Sequence, residues 1–341
     1  MQIAEIHLAE FPEASVRTIR FGIVIEKVAA ARGVGRKSSD ELQSDLAGRE
    51  AFMSAFADTS RERTMLRSIL VGLDESPYSR CAVELAIRWA RRMDAIVVGL
   101  GVIDEPAIRS PEPLPVGGSA YKEMRDEALL ADARRRVESL LSQFSLRCAE
   151  AGVASKVLED TGTPAARILL ESQRYDVIIL GQQTYFQFTT QDTPCRTVYE
   201  VLKGSPRPVV TAPERLGDPG SVVVAYDGSL QAARALQAFQ ALGLADGQRV
   251  HLVSVHTDAA AATAATERAA DFLRLHEVEA ERHVVVADGS PARVILDRAV
   301  QLNAGLLVMG AYGRSAFVEF FLGSVTRTLL DECPIPMFLY H

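Results

Sequence analysis

The chain has 341 residues and a formal net charge of −7, so at about 150 residues per domain it should hold two domains rather than one. The acidic balance excludes an electrostatic nucleic-acid binder and a polybasic membrane anchor. A hydrophobic content of 48% with 24% charged residues excludes a disordered chain.

The four cysteines, Cys81, Cys148, Cys195 and Cys333, stand far apart with no C-x-x-C pair. That spacing indicates neither a disulfide framework nor a thiolate zinc site, and it fits a reducing cytoplasm. No apolar run approaches the roughly 18 residues of a membrane span. Glu5, Glu10 and Glu13 stand where a secretory leader would be basic and then apolar, so a cytoplasmic protein with no membrane partner is expected.

In chain order, residues 1–64 belong to no recognisable unit and are expected to be an N-terminal extension, either disordered or upstream of a true start at Met65. A first unit, 65–212, opens with the apolar run Ser68 to Leu73 followed by Asp74-Glu-Ser76 and a helix. A second strand at Ala95 to Val102 follows, then an insertion containing Pro106, Pro111, Pro113 and Pro115, which reads as an exposed connection or a lid. Next come a Gly162-Thr-Pro164 turn with proline at the first helical position, a strand from Asp176 to Gly181, and a closing strand at Pro206 to Val210. Proline and glycine cluster in a linker at 213–220.

The second unit, 221–341, repeats this order. Ser221 to Ala225 leads into Tyr226-Asp227-Gly-Ser229, Arg249 to Val255 is the second strand, and Gly289-Ser-Pro291 is the turn. Gly305 to Gly310 and Pro334 to Phe338 are the late strands. Continuous apolar strands alternating with helices indicate an α/β class with parallel pairing and both sheet faces covered. Five strands and four helices are expected in each unit.

The sharpest local pattern is Gly310-Ala-Tyr-Gly313-Arg314, then Gly323-Ser324-Val325 after nine intervening residues counted from Gly313. Gly310 and Gly313 are expected to turn the backbone with positive φ and to let amide N–H groups approach an anion. Gly323 and Ser324 would open the last helix, whose amino end favours phosphate. Alone, such glycines also make an ordinary turn and a Gly-Ser an ordinary helix cap. Together with the early Asp227, the Gly-Ser-Pro turn and the closing Pro-Ile-Pro strand, they resemble the G-x2-G-x9-G-[S/T] signature of the universal stress protein family.

The resemblance spans both units and implies a tandem UspA-like protein of two Rossmann-like, adenine nucleotide alpha hydrolase-like domains, each a five-stranded mostly parallel sheet flanked by helices. It implies ATP, with or without Mg2+, in the second domain. Gly310, Gly313, Arg314, Gly323, Ser324 and Val325 would surround phosphates and ribose, with Met309 beside them. Ala225 and Asp227 would approach ribose and adenine, and Val255 would offer backbone hydrogen bonds to the adenine edge. Asp227 reads equally as the cap of the helix beginning near Ser229. In the first unit Gln182, Gln183 and Thr184 follow Gly181, and Cys195 and Arg196 replace the Gly-Ser pair, so that nucleotide site is degenerate and its role structural or regulatory.

The implied function is stress-response regulation through nucleotide occupancy, read by an unidentified protein partner. The alternatives are a slow ATPase, an enzyme that phosphorylates itself at Ser315 or Ser324, and an ATP-independent scaffold. Asp227 is the one candidate general base. The resemblance also implies that the closing strands, Pro208 to Thr211 and Pro336 to Tyr340, pair across the two domains, leaving a homodimer open. Gly313→Val is expected to abolish ATP binding and Gly181→Val to leave it unchanged. Arg134 to Arg136 reads as a solvated helix face. No carboxylate or third histidine stands at ligand spacing from His251 and His256, so a core or rim role and no metal are expected.

Overall fold

The computed structural model describes residues 65–115, 118–186, 196–311 and 324–341. The extension at 1–64, Cys195, Gly313, Arg314, Gly323 and the side chain of Ser324 lie outside the described residues.

The first half runs β1 (Ser68–Leu73), α1 (Pro77–Met93), β2 (Ile96–Ile103), α2 (Glu105–Ile108), α3 (Ser119–Glu150), β3 (Ser155–Thr161), α4 (Pro164–Ser172), β4 (Val177–Gly181), α5 (Thr197–Gly204) and β5 (Val209–Ala212). The second runs β6 (Ser221–Ala225), α6 (Leu230–Ala241), β7 (Val250–His256), α7 (Ala259–Leu275), β8 (Ala280–Val286), α8 (Pro291–Gln301), β9 (Ala304–Gly310), α9 (Ser324–Glu332) and β10 (Met337–Tyr340). The proline-rich insertion supplies the short α2, an extra helix relative to the second half, and residues 109–115 beyond it are exposed.

Local chemistry accounts for the boundaries. Ser76 caps α1 by accepting from the Ser79 N–H at 3.0 Å, and Pro77 follows in the first turn, where its missing N–H costs nothing. Ser229 caps α6 in the same way, accepting from Ala232 N–H at 3.2 Å. Pro164 and Pro291 open α4 and α8. Asp94 ends α1 in the left-handed region at φ 53°, after Arg91 and Arg92 in the last turn.

The two expected five-stranded sheets form one ten-stranded sheet in the order β3-β2-β1-β4-β5-β10-β9-β6-β7-β8. Every neighbouring pair is parallel except β5 and β10, which join the halves antiparallel through Met337 opposite Thr211, Phe338 opposite Val210 and Leu339 opposite Val209. The expected cross-domain pairing of closing strands is this join. Around it Leu66 N–H donates to Leu242 O at 3.1 Å, Tyr340 OH to Pro206 O at 3.0 Å and Tyr199 OH to Asp331 Oδ1 at 3.1 Å.

Helices cover both faces. One apolar layer holds α1, α3, α6 and α7, with Trp89, Phe144, Phe239 and Leu273 among its buried side chains. The other holds α4, α5, α8 and α9, with Ile168, Leu202, Ile295 and Leu329. Burial on both faces explains why β4 and most of β1 and β6 read as unbroken apolar runs. The sheet's outer strands, β3 and β8, carry exposed residues instead. Among the described residues no helix is long and apolar enough to cross a membrane.

Candidate nucleotide site

In the second half Ala225, Val255, Met309 and Gly310 lie toward the carboxyl ends of three adjacent strands. Ala225 ends β6 and lies opposite Met309 of β9 on one side and Val253 of β7 on the other. Val255 is the penultimate residue of β7, half-buried, and Gly310 closes β9. Helix α9 follows β9 and precedes the parallel β10, so its amino end, at Ser324 and Val325, must start from this same end of the sheet. In open parallel sheets that end is where ligands bind.

Gly310 has a different reason to be glycine from the one expected. It does not adopt positive φ. A Cβ there would lie 2.5 Å from the main-chain nitrogen of Ala232 and the carbonyl carbon of Gln231. The first turn of α6 therefore packs directly on the end of β9, which brings a helix amino terminus without acidic residues in its first turn to the candidate site. The left-handed glycine is Gly228, at φ 77°, in the turn between Asp227 and Ser229.

Asp227 is not the helix cap. Ser229 fills that position, and Asp227 Oδ1 accepts from Ser229 N–H at 2.9 Å, an Asx turn that shapes the β6–α6 connection and leaves the side chain half-buried.

The first half shows the same frame with its cleft filled. Asp74 occupies the place of Asp227, and its Oδ1 accepts from Ser76 N–H at 2.8 Å. Its Oδ2, however, accepts from Tyr185 N–H at 2.6 Å, and Asp74 is only 2% exposed. Burial raises its pKa above the usual 3.8, against the lowering effect of the hydrogen bonds from Ser76 and Tyr185. Phe186, 1% exposed, inserts against β1, where a Cβ on Gly72 would lie 3.1 Å from its Cζ. Counting from Gly181 and Gly310, Tyr185 stands where Arg314 stands in the second half. Gly181 has the same close approach as Gly310, since a Cβ there would lie 2.7 Å from Tyr78 Cβ in the first turn of α1. That contact gives Gly181→Val a cost apart from ATP binding: the side chain would collide with a helix start in the fold itself.

Two features escaped the linear reading. Arg268 of α7 reaches the β6–α6 turn, with its Nη2 3.3 Å from where a Cβ of Gly228 would be. Burial raises the pKa of the neighbouring Tyr226, and the Arg268 charge opposes that rise. In the first half the residue matching Gly228 is Glu75, which pairs with Arg136 of α3 at 2.9 Å. The second half has a glycine there and no carboxylate. The second feature is that His251 lies beside Glu281 and His283 of the adjacent strand, a grouping that spacing along one strand does not reveal.

The universal stress protein family model matches residues 65–184 and 220–341, and the chain belongs to that family. A universal stress protein of Synechocystis is 24% identical over 292 residues, covering 81% of this chain and all of the relative. The universal stress protein Rv2623 of Mycobacterium tuberculosis is 26% identical over 303 residues, covering 79% of this chain and 94% of the relative. Among solved structures, a universal stress protein from Archaeoglobus fulgidus aligns with a TM-score of 0.61 at 20% identity, over 82% of this chain and 98% of that one.

Proposed function

We propose that this chain is an ATP-binding regulatory protein in which the second domain, 221–341, holds the nucleotide and the first, 65–212, does not. The observation that carries the reading is the asymmetry at the two equivalent aspartates. Asp74 is buried with both carboxylate oxygens engaged by main-chain N–H groups of its own half, whereas Asp227 is half-buried at the mouth of the β6–α6 turn.

Ala225, Asp227, Val255 and Met309 would bound adenine and ribose. Gly310, Gly313, Arg314, Gly323, Ser324 and Val325 would bound the phosphates, where the amino ends of α6 and α9 supply N–H donors and partial positive charge. The residues fit a polyanion in that the described part of this wall carries no carboxylate besides Asp227, and Arg268 lies against the turn beside it. A guanidinium at a phosphate contributes about 1.5–3 kcal/mol for each charge-assisted hydrogen bond. Mg2+, if it accompanies the nucleotide, would meet Asp227 as the carboxylate at hand.

Function through occupancy follows from differential binding: ATP stabilises whichever arrangement of the Gly310–Ser324 segment it contacts best, and a partner protein reads that arrangement. The test is to purify the full chain, extract its bound small molecules and follow added ATP. One ATP per chain without phosphate release is expected. Steady phosphate release or a phosphorylated Ser315 or Ser324 would replace occupancy by catalysis, and absence of any nucleotide affinity would leave the scaffold.

A further inference from the structure

We infer that His251, Glu281 and His283 form a binding site for one divalent transition-metal ion of the zinc type, on the last two strands of the sheet, β7 and β8. His251 is the second residue of β7, and the parallel register sets Glu281 of β8 opposite it and His283 opposite Val253. Residues two apart on a strand share a face, so all three side chains project to the side covered by α8. His251 Nδ1 is 3.0 Å from His283 Nε2 and 3.3 Å from Glu281 Oε2, and His283 Nε2 is 3.6 Å from Glu281 Oε1.

These separations lie within a few tenths of an ångström of those around one small cation, the 3.0 Å ring contact being the one that must open. Tetrahedral zinc with bonds of about 2.0–2.2 Å to nitrogen and oxygen places its ligand atoms about 3.3–3.5 Å apart. Two imidazoles and one carboxylate suit zinc and its first-row neighbours better than magnesium or calcium, which prefer all-oxygen shells.

Burial divides the labour among the three. The His251 side chain is 4% exposed and that of His283 14%, whereas Glu281 is 64% exposed. The two rings are thus fixed by packing, with centroids 5.1 Å apart, and the carboxylate closes over from solvent, leaving a fourth position for water. Arg298 is the nearby cation that a bound metal would have to tolerate. The His251–His283 contact requires one ring to carry a proton on the facing nitrogen. Metal entry therefore needs that ring to move its proton to the far nitrogen, with no net change in charge.

His251 lies four residues before Val255, about 13 Å along the strand, while His283 is level with Ala225 two strands away, since both face Val253; none of the three is a proposed nucleotide contact, so the two readings are tested apart. The experiment is to strip the full-length protein with a chelator and titrate it with Zn2+ by calorimetry, alongside Glu281→Gln and His283→Gln. One equivalent bound per wild-type chain is expected, with affinity lowered at least tenfold in Glu281→Gln and the equivalent lost in His283→Gln. X-ray absorption of the loaded protein should show two imidazoles in the first shell, and Zn2+ should raise the melting temperature of wild type, less that of Glu281→Gln, and not that of His283→Gln. Because Glu281 is exposed, its variant tests the site without threatening the fold. Equal affinity in wild type and Glu281→Gln, or no stoichiometric binding by wild type, overturns the inference. ATP binding should be unchanged in both variants.

Discussion

The main-chain N–H of Tyr185 donates to Oδ2 of Asp74 at 2.6 Å across 111 residues of sequence. With Ser76 N–H on the other oxygen at 2.8 Å, the carboxylate ties the β4–α5 connection to the β1–α1 turn. Asp74→Ala should therefore cost about 1–3 kcal/mol for each buried donor left without a partner. Urea denaturation is the measurement, and an unshifted midpoint would show that the contact is not a stabilising one.

The same group has a pH signature of defined sign. Burial raises the folded-state pKa of Asp74 above 3.8, so the protonated form is favoured in the fold. Its contribution to stability is fully present below the unfolded value and is lost as pH rises through the folded pKa. Wild type should therefore gain stability relative to Asp74→Asn on acidification from neutrality toward about pH 4. A difference between the two proteins that stays constant with pH would rule out the raised pKa.

Gly310→Ala should destabilise by about 1–3 kcal/mol or more, because its Cβ would meet main-chain atoms of Gln231 and Ala232 that cannot rotate aside. Gly181→Ala should do the same against Tyr78. Gly289→Ala, with no atom within 4 Å of its Cβ and no positive φ, should stay within about 0.5 kcal/mol of wild type. Thermal melts of the three variants decide the matter, and a silent Gly310→Ala would mean that α6 does not start against β9.

These positions also mark how far the sequence could be read. Strands, capping serines and helix-opening prolines were legible because their causes are local: an unbroken apolar run, a hydroxyl three residues before an N–H, a fixed φ. The close approach behind Gly310, the filling of the first cleft by Tyr185 and Phe186, and the His251–Glu281–His283 grouping were not. Each depends on which segments lie side by side after folding. The β5–β10 join was accessible only through the family resemblance, since nothing in Val209 to Ala212 names Met337 to Tyr340 as its neighbour.

For the nucleotide, Arg268→Ala should weaken ATP binding about three- to tenfold, roughly 0.7–1.4 kcal/mol, while leaving adenosine affinity unchanged. A calorimetric comparison of the two ligands separates a phosphate contact from a base contact. Equal loss for both would place Arg268 away from the phosphates. Gly313→Val should abolish ATP binding, and retained affinity would remove Gly313 from the site.

Phe338 sits at the join, opposite Val210, with its ring edge-on to Phe239 at a centroid distance of 5.9 Å. Truncation to alanine should cost about 3–5 kcal/mol. Differential scanning calorimetry should then resolve two transitions where wild type shows one, and a single unshifted transition would show that the halves are not coupled through this strand.

The antiparallel β5–β10 seam also changes what each half is free to become. Two identical chains meeting at such a seam must change together, because any substitution appears on both sides of the axis. Here the halves are written separately and tethered, so they remain paired at any dilution. One can seal its cleft with Tyr185 and Phe186 while the other keeps its glycines, and the two can go on diverging without breaking the seam they share.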